Sequence, residues 1–312
     1  MMWDYDSFIA KSRLYFQRAE KHPRVDDDVF ALWLLLGLEF LLRAPLAKVN
    51  KTLLADMNPD SIMHAAGFPM GVNSKPTSVA AKTVITRLGV IIGDFTKERQ
   101  DDATILIGMR NGELHSSESP LTVDVAQWLP QFTRVVEVIC VFLDIDSFDL
   151  VGQELIEQGR ALVDGEDRKL AHEIQKRVEA ARARYGQLAD QDRVARRAML
   201  PRRSSTWQWP EVQPGDRWAS AVYELVDCSA CNESAPLFLR AVRSTNERLE
   251  EDEIYRDIVY VATELTCLIC DLELHGTAEI RCVGLQQQYV RQEVESIQER
   301  FMSTYEPDYG ND

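Results

Sequence analysis

Six consecutive residues, Arg110-Asn111-Gly112-Glu113-Leu114-His115, set a guanidinium and an imidazole five positions apart at the end of an apolar helical run. An imidazole moves protons near neutral pH and a guanidinium holds charge developing on phosphorus, the pair that phosphodiester cleavage needs. An unbroken helix would place positions 110 and 115 about 140° apart, at roughly 100° per residue. Gly112 suggests that the helix loosens there and lets the two side chains converge. The spacing also fits a solvated arginine at a helix end and a histidine with a local hydrogen bond. Glu39, in an apolar stretch upstream, is read either as the group that orients Arg110 or as a carboxylate on the wet edge of its helix.

A second set of residues points to metal chemistry. Cys228-Ser229-Ala230-Cys231 and Cys267-Leu268-Ile269-Cys270 supply four thiolates, which satisfy a tetrahedral Zn²⁺ with no open position and so mark a structural site. Strand-like runs at 221–226 and 259–265 precede the two pairs, the second run being also compatible with helix. Asn232 and Asp271 follow the pairs where a left-handed residue is wanted, and both types tolerate it. The pattern resembles a zinc ribbon, with a 35-residue gap between the pairs that suggests an acidic helical insert around 247–257. His275 and Cys282 read as ordinary fold residues.

The elements that must position these groups are mainly helical. Phe8, Ile9, Tyr15, Phe16 and Ala19 keep helical spacing behind a cap at Asp6, and His22-Pro23 ends that helix. Asp26, Asp27 and Asp28 precede a second helix over 29–44 that is apolar nearly all round, as the centre of a bundle or a dimer interface would be. The longest apolar stretch, Phe30 to Ala47, suits a buried core helix better than a bilayer span, because it contains Glu39, Arg43 and Pro45. Residues 45–76 read as a connection with one short helical turn. Helical spacing then resumes at Val84, Leu88, Ile91 and Phe95 behind a cap near Thr77 or Ser78, and Ile105 to Met109 lead into the motif. Residues 116–120 form a serine-rich loop. A further helix runs over 125–143, bent at Pro130, with Cys140 as a small core residue.

Charge is distributed unevenly. The 312 residues carry a formal net charge of −15, which argues against a broad nucleic-acid-coating surface. Between Arg168 and Arg203, however, eleven lysines and arginines face four acidic residues. Arg182, Arg184, Arg193, Arg196 and Arg197 in this region, with Arg202 and Arg203 beyond them, are the candidate backbone-phosphate surface for RNA; equally, such arginines can pair with acidic groups of this chain or a partner. Trp207 and Trp209 lie in a linker over 201–215. Residues 286–301 read as an amphipathic polar helix and 305–312 as an acidic tail.

The resulting division is a helical bundle (1–146), a basic helical extension and linker (147–205), a ribbon-like domain (206–285) and a terminal helix with its tail (286–312). Met1 to Asp6 is acidic where a secretory leader is basic, and paired cysteines without a leader suggest a reducing compartment, so the expectation is cytoplasmic with no membrane partner.

Arginine, a polar residue, three further residues and histidine, following an apolar helix, resemble the motif of the HEPN superfamily, and residues 34–44 resemble the second-helix pattern of its bacterial members. The likeness covers roughly residues 5–145. It implies an up-and-down helical bundle that pairs as a homodimer with two motifs facing each other. It further implies metal-independent endoribonuclease activity with Arg110 and His115 as the active pair and Asn111 as helper. The settings implied are antiviral defence or a toxin–antitoxin pair, with an inhibitory or activating protein partner. The whole chain would then be mainly α, with a small zinc-bearing α+β domain at its end. Alternatives are an RNA- or protein-binding module that does not cut, and a scaffold acting through its ribbon.

Overall fold

The computed structural model describes residues 3–22, 28–68, 70–71, 74–200 and 222–302. The linker at 201–215 with Trp207 and Trp209, Arg202 and Arg203, and the acidic tail lie outside the described residues, as do Pro23, Asp26 and Asp27. The chain divides into two compact units, Met1–Glu166 and Asp167–Asp312.

The first unit is helical: α1 (Tyr5–Glu20), α2 (Asp28–Val49), α3 (Pro59–Ala65), α4 (Ala81–Ile91), α5 (Lys97–His115), α6 (Leu129–Leu143), α7 (Ser147–Val151) and the start of α8 (Gln153–Gln187). Leu34, Leu35, Leu38, Leu41 and Leu42 make α2 the buried axis, packed by α1, α4, α5 and α6. On length and composition α2 could cross a bilayer, yet it is buried within this unit. The helix runs on past Pro45 to Val49 instead of ending at 44. Leu46 and Ala47 beyond the proline are buried, and their packing carries the helix over the missing N–H.

Three helix starts differ from the sequence reading. Asp4, not Asp6, caps α1, accepting from the Ser7 N–H (2.8 Å) and hydroxyl (2.9 Å), and these bonds hold its carboxyl below the usual range. Helix α4 starts behind Ala80 without a side-chain cap, and Thr77, three residues earlier, donates its N–H to the Ser61 hydroxyl (2.8 Å). Pro130 lies in the first turn of α6, where no N–H is required, so it starts that helix rather than bending it.

Contact between α1 and α2 depends on Gly37. A Cβ there would meet Phe16 Cε1 at 2.5 Å, and the Gly37 carbonyl accepts from the buried Ser12 hydroxyl at 2.9 Å.

The second unit combines the rest of α8 from residue 167, α9 (Asp190–Arg197), α10 (Gly276–Cys282) and α11 (Ile297–Met302) with an antiparallel sheet. Strands β1 (Tyr223–Asp227), β2 (Ser234–Glu250), β3 (Glu253–Thr266) and β4 (Glu273–His275) lie in that order, and β5 (Gln288–Ser296) pairs with β3 beyond β4. The stretch expected as an acidic helical insert is the far end of the β2–β3 hairpin. The stretch expected as a polar terminal helix is β5, with only α11 helical after it. Charged residues hid a period of two: Gln288, Val290, Gln292 and Val294 are exposed, while Tyr289, Arg291 and Glu293 between them are partly covered. Across the sheet, Arg256 pairs with Glu293 (3.1 Å) and Arg291 with Glu224 (2.8 Å). The region read as an extension therefore does not stand apart. Leu155, Ile156 and Leu162 pack in the first core, and Leu170, Ile174, Val178 and Ala181 in the second.

Replacing Gly37 by alanine should lower the unfolding free energy by about 1–3 kcal/mol through overpacking against Phe16. Denaturant unfolding reads this directly, and Phe16→Leu in the same chain should recover part of the loss. An unchanged midpoint would contradict the close approach.

Candidate active site and metal centre

Helix α5 buries Ala103, Leu106, Ile107 and Arg110, a stripe at i, i+3, i+4 and i+7 whose last member is a guanidinium instead of an apolar group. Arg110 is 9% exposed and meets the Glu39 carboxylate of α2. Arg43, one turn along α2 and equally buried, binds the other Glu39 oxygen at 3.1 Å and donates to the Glu39 carbonyl at 2.9 Å. Burial lowers the Arg43 guanidinium from its ordinary value, opposed by the charge of Glu39.

Two cations thus share one anion, and the cluster holds one positive charge in excess. The buried Nε of Arg110 has no hydrogen-bond partner among the described residues. Removing Glu39 would leave two uncompensated guanidiniums, a change that costs about 3–5 kcal/mol at buried ion pairs. Glu39 therefore meets Arg110, the contact that the first of its two readings requires. Arg43 was not singled out, although a cation four residues from a glutamate in an apolar helix is a legible pairing.

Arg110 and His115 do not converge. Helix α5 continues unbroken through Gly112, and Ser116 closes it by donating both its N–H (3.0 Å) and its hydroxyl (2.7 Å) to the Gly112 carbonyl. The glycine serves a close approach instead: a Cβ there would lie 3.1 Å from Pro120 Cγ of the returning loop. The Leu121 N–H then anchors that loop on the Glu113 carboxylate (3.3 Å). With the helix intact, Asn111 and His115 share one face, four residues apart, and both are exposed. Neither side chain makes a hydrogen bond among the described residues. The arginine faces the core and the histidine faces solvent.

The four cysteines meet at one end of the sheet. Cys228–Cys231 forms the turn between β1 and β2, Cys267–Cys270 the turn between β3 and β4, and β2–β3 pairing brings the two turns together. The turns repeat each other. The Cys228 N–H donates to the Glu233 carbonyl (2.9 Å) and the Cys267 N–H to that of Leu272 (2.8 Å). Asn232 and Asp271 take the left-handed conformation at φ 59° and 57°.

All four sulfurs are buried and lie within 4.8 Å of one another, with Cys228–Cys270 and Cys231–Cys267 each at 3.6 Å. Metal–sulfur bonds of about 2.3 Å require sulfur–sulfur edges of roughly 3.8 Å, so the residues fit a tetrahedral metal ion. Cys140 differs: burial pushes its thiol up to about 12, leaving a small inert core residue. His275 and Cys282 do not belong to the cluster.

The five arginines of the basic region are engaged within the second unit. Arg182 donates to the Ala230 (3.3 Å) and Ser229 (3.2 Å) carbonyls, and Arg184 to those of Cys270 (3.2 Å) and Asp271 (2.9 Å). Arg196 reaches the Ile269 carbonyl (3.0 Å) and the Asp271 carboxylate (2.9 Å). Arg197 pairs with Glu233, and Arg193 donates to the Tyr185 carbonyl (3.0 Å).

Comparison with protein-family models, with curated proteins and with solved structures returned no match.

The purified chain should bind one divalent metal ion at the cysteine cluster, and Cys267→Ser should abolish stoichiometric binding by elemental analysis. Retention of a full equivalent by that variant would place the metal elsewhere.

Proposed function

We propose that the chain is an endoribonuclease of the HEPN type, a helical-bundle protein that cuts RNA as a homodimer without a catalytic metal. The observation that carries this reading is the orientation of the motif. His115 and Asn111 look outward on α5, while Arg110 sits in a buried cluster with one positive charge in excess. A lone imidazole can take or give a proton, but cleavage by the substrate's own 2′-hydroxyl needs both a base and an acid. A two-fold pairing supplies the second imidazole.

In this mechanism one His115 takes the proton of the 2′-hydroxyl as its oxygen attacks phosphorus. The His115 of the second copy gives a proton to the departing 5′-oxygen. Arg110 stabilises the phosphorane once its guanidinium leaves the Glu39 carboxylate and turns to the face that His115 occupies. Asn111 offers an amide to the substrate, and Glu39 and Arg43 position Arg110. The products are a 2′,3′-cyclic phosphate and a 5′-hydroxyl.

The metal at the four cysteines is zinc in this reading, closed to substrate and structural. The protein works in the cytoplasm, in a defence or toxin–antitoxin setting, with a protein partner that restrains or triggers it. RNA contact through Arg182, Arg184, Arg193, Arg196 and Arg197 requires their guanidiniums to share or give up the bonds they make within the second unit.

One observation favours a second reading, a module that binds RNA or protein without cutting. The Glu39 carboxylate already occupies the guanidinium of Arg110, as in a purely structural ion pair.

Cleavage of mixed RNA in EDTA separates the two. The catalytic reading predicts cyclic-phosphate ends, a loss of about 10²–10⁴ in rate for His115→Ala, and unchanged dimerisation. Cutting that persists in this variant would remove His115 from the chemistry, and no cutting under any trigger would favour the binding module.

A further inference from the structure

The strongest unexplained feature of the second unit is where its arginines point. A Cys-x-x-Cys turn directs backbone N–H groups at its own sulfurs, here that of Cys231 at Cys228 and that of Cys270 at Cys267. The Cys228 and Cys267 carbonyls accept the N–H groups of Asn232 (2.8 Å) and Asp271 (2.9 Å) within the turns, while the carbonyls that follow them have no strand partner and are left for other donors. Arg182 supplies donors to the first turn, Arg184 and Arg196 to the second.

Charge makes the same demand. Four thiolates around a divalent ion leave a net charge of −2, buried among Ile174, Val178 and Ala181. Three guanidiniums of α8 and α9 lie against that centre. Arg196 also holds the carboxylate of Asp271, the left-handed residue that closes the second turn. Arginine suits the role because its planar fork can span neighbouring carbonyls, as Arg182 and Arg184 do here, whereas lysine offers a single point charge.

We propose that Arg182, Arg184 and Arg196 are positioning residues of the metal centre, and that metal occupancy and the order of residues 167–197 are linked. With metal bound, the turns present fixed carbonyls and a negative centre, and α8 and α9 lock onto them. Without metal, no shared ion fixes the two turns, their carbonyls no longer hold one arrangement for the guanidiniums, and the basic helical segment loosens. Linkage is reciprocal, so weakening the clamp must weaken the metal. The inference holds whether or not the chain cuts RNA, since it concerns only the second unit.

The test uses the full-length chain loaded with zinc or cobalt alone and titrated with a chromophoric chelator. Arg184→Ala and Arg196→Ala should lower metal affinity about 10- to 100-fold, the usual effect of losing a group that orients metal ligands. The lysine variants should fall between, and the cobalt spectrum should stay tetrahedral throughout. Arg168→Ala, an exposed arginine away from the turns, should change nothing. Hydrogen exchange should show that stripping metal exposes the amides of 167–197 while those of α2 stay protected, which also reports whether each variant is folded. Unchanged affinity in folded Arg182, Arg184 and Arg196 variants would overturn the proposal. So would an equal loss in Arg168→Ala, or full protection of 167–197 in the stripped chain.

Discussion

The first unit is organised around one carboxylate. Glu39 projects from the most apolar helix of the chain and holds Arg43 of its own helix and Arg110 of α5. Burying three charges is costly, and their mutual attraction offsets that cost only while all three stay together. The constraint fixes how α5 is turned against α2. With Arg110 inward, Asn111 and His115 must face outward, because the helix continues without a break to its last residue. The placement of every group in the motif follows from this ion cluster and from 3.6 residues per turn.

The second unit obeys a different constraint. Two turns of similar geometry converge because β2 and β3 pair along most of their length, and register shifts at three points bend the hairpin. Four sulfurs then lie within reach of one ion, and the arginine helices cover the outward-facing carbonyls. A basic surface in an acidic chain thus serves the interior of its own unit.

Much of this was legible in the sequence. The cysteine spacing pointed to the metal cluster, and Asn232 and Asp271 to its left-handed turns. The apolar stripe of α2 marked the core, and Glu39 stood out as a charge without an obvious reason to be there. What was not legible depends on tertiary partners. Gly112 suggested a loosened helix, whereas its missing side chain admits Pro120. The strand β5 was hidden because Arg291, Glu293 and Glu295 on its covered face read as polar helix until their partners on β1 and β3 are known. The arginines of α8 and α9 looked like a surface because backbone carbonyls, their acceptors, leave no trace in a sequence.

The central functional claim is that two copies each contribute one imidazole to a single centre. Mixing wild-type chain with increasing amounts of His115→Ala chain under subunit exchange tests it most directly. If both imidazoles are required, RNA cleavage at constant total chain concentration falls as the square of the wild-type fraction. A decline in simple proportion to that fraction would mean that each copy works alone, and would contradict the account.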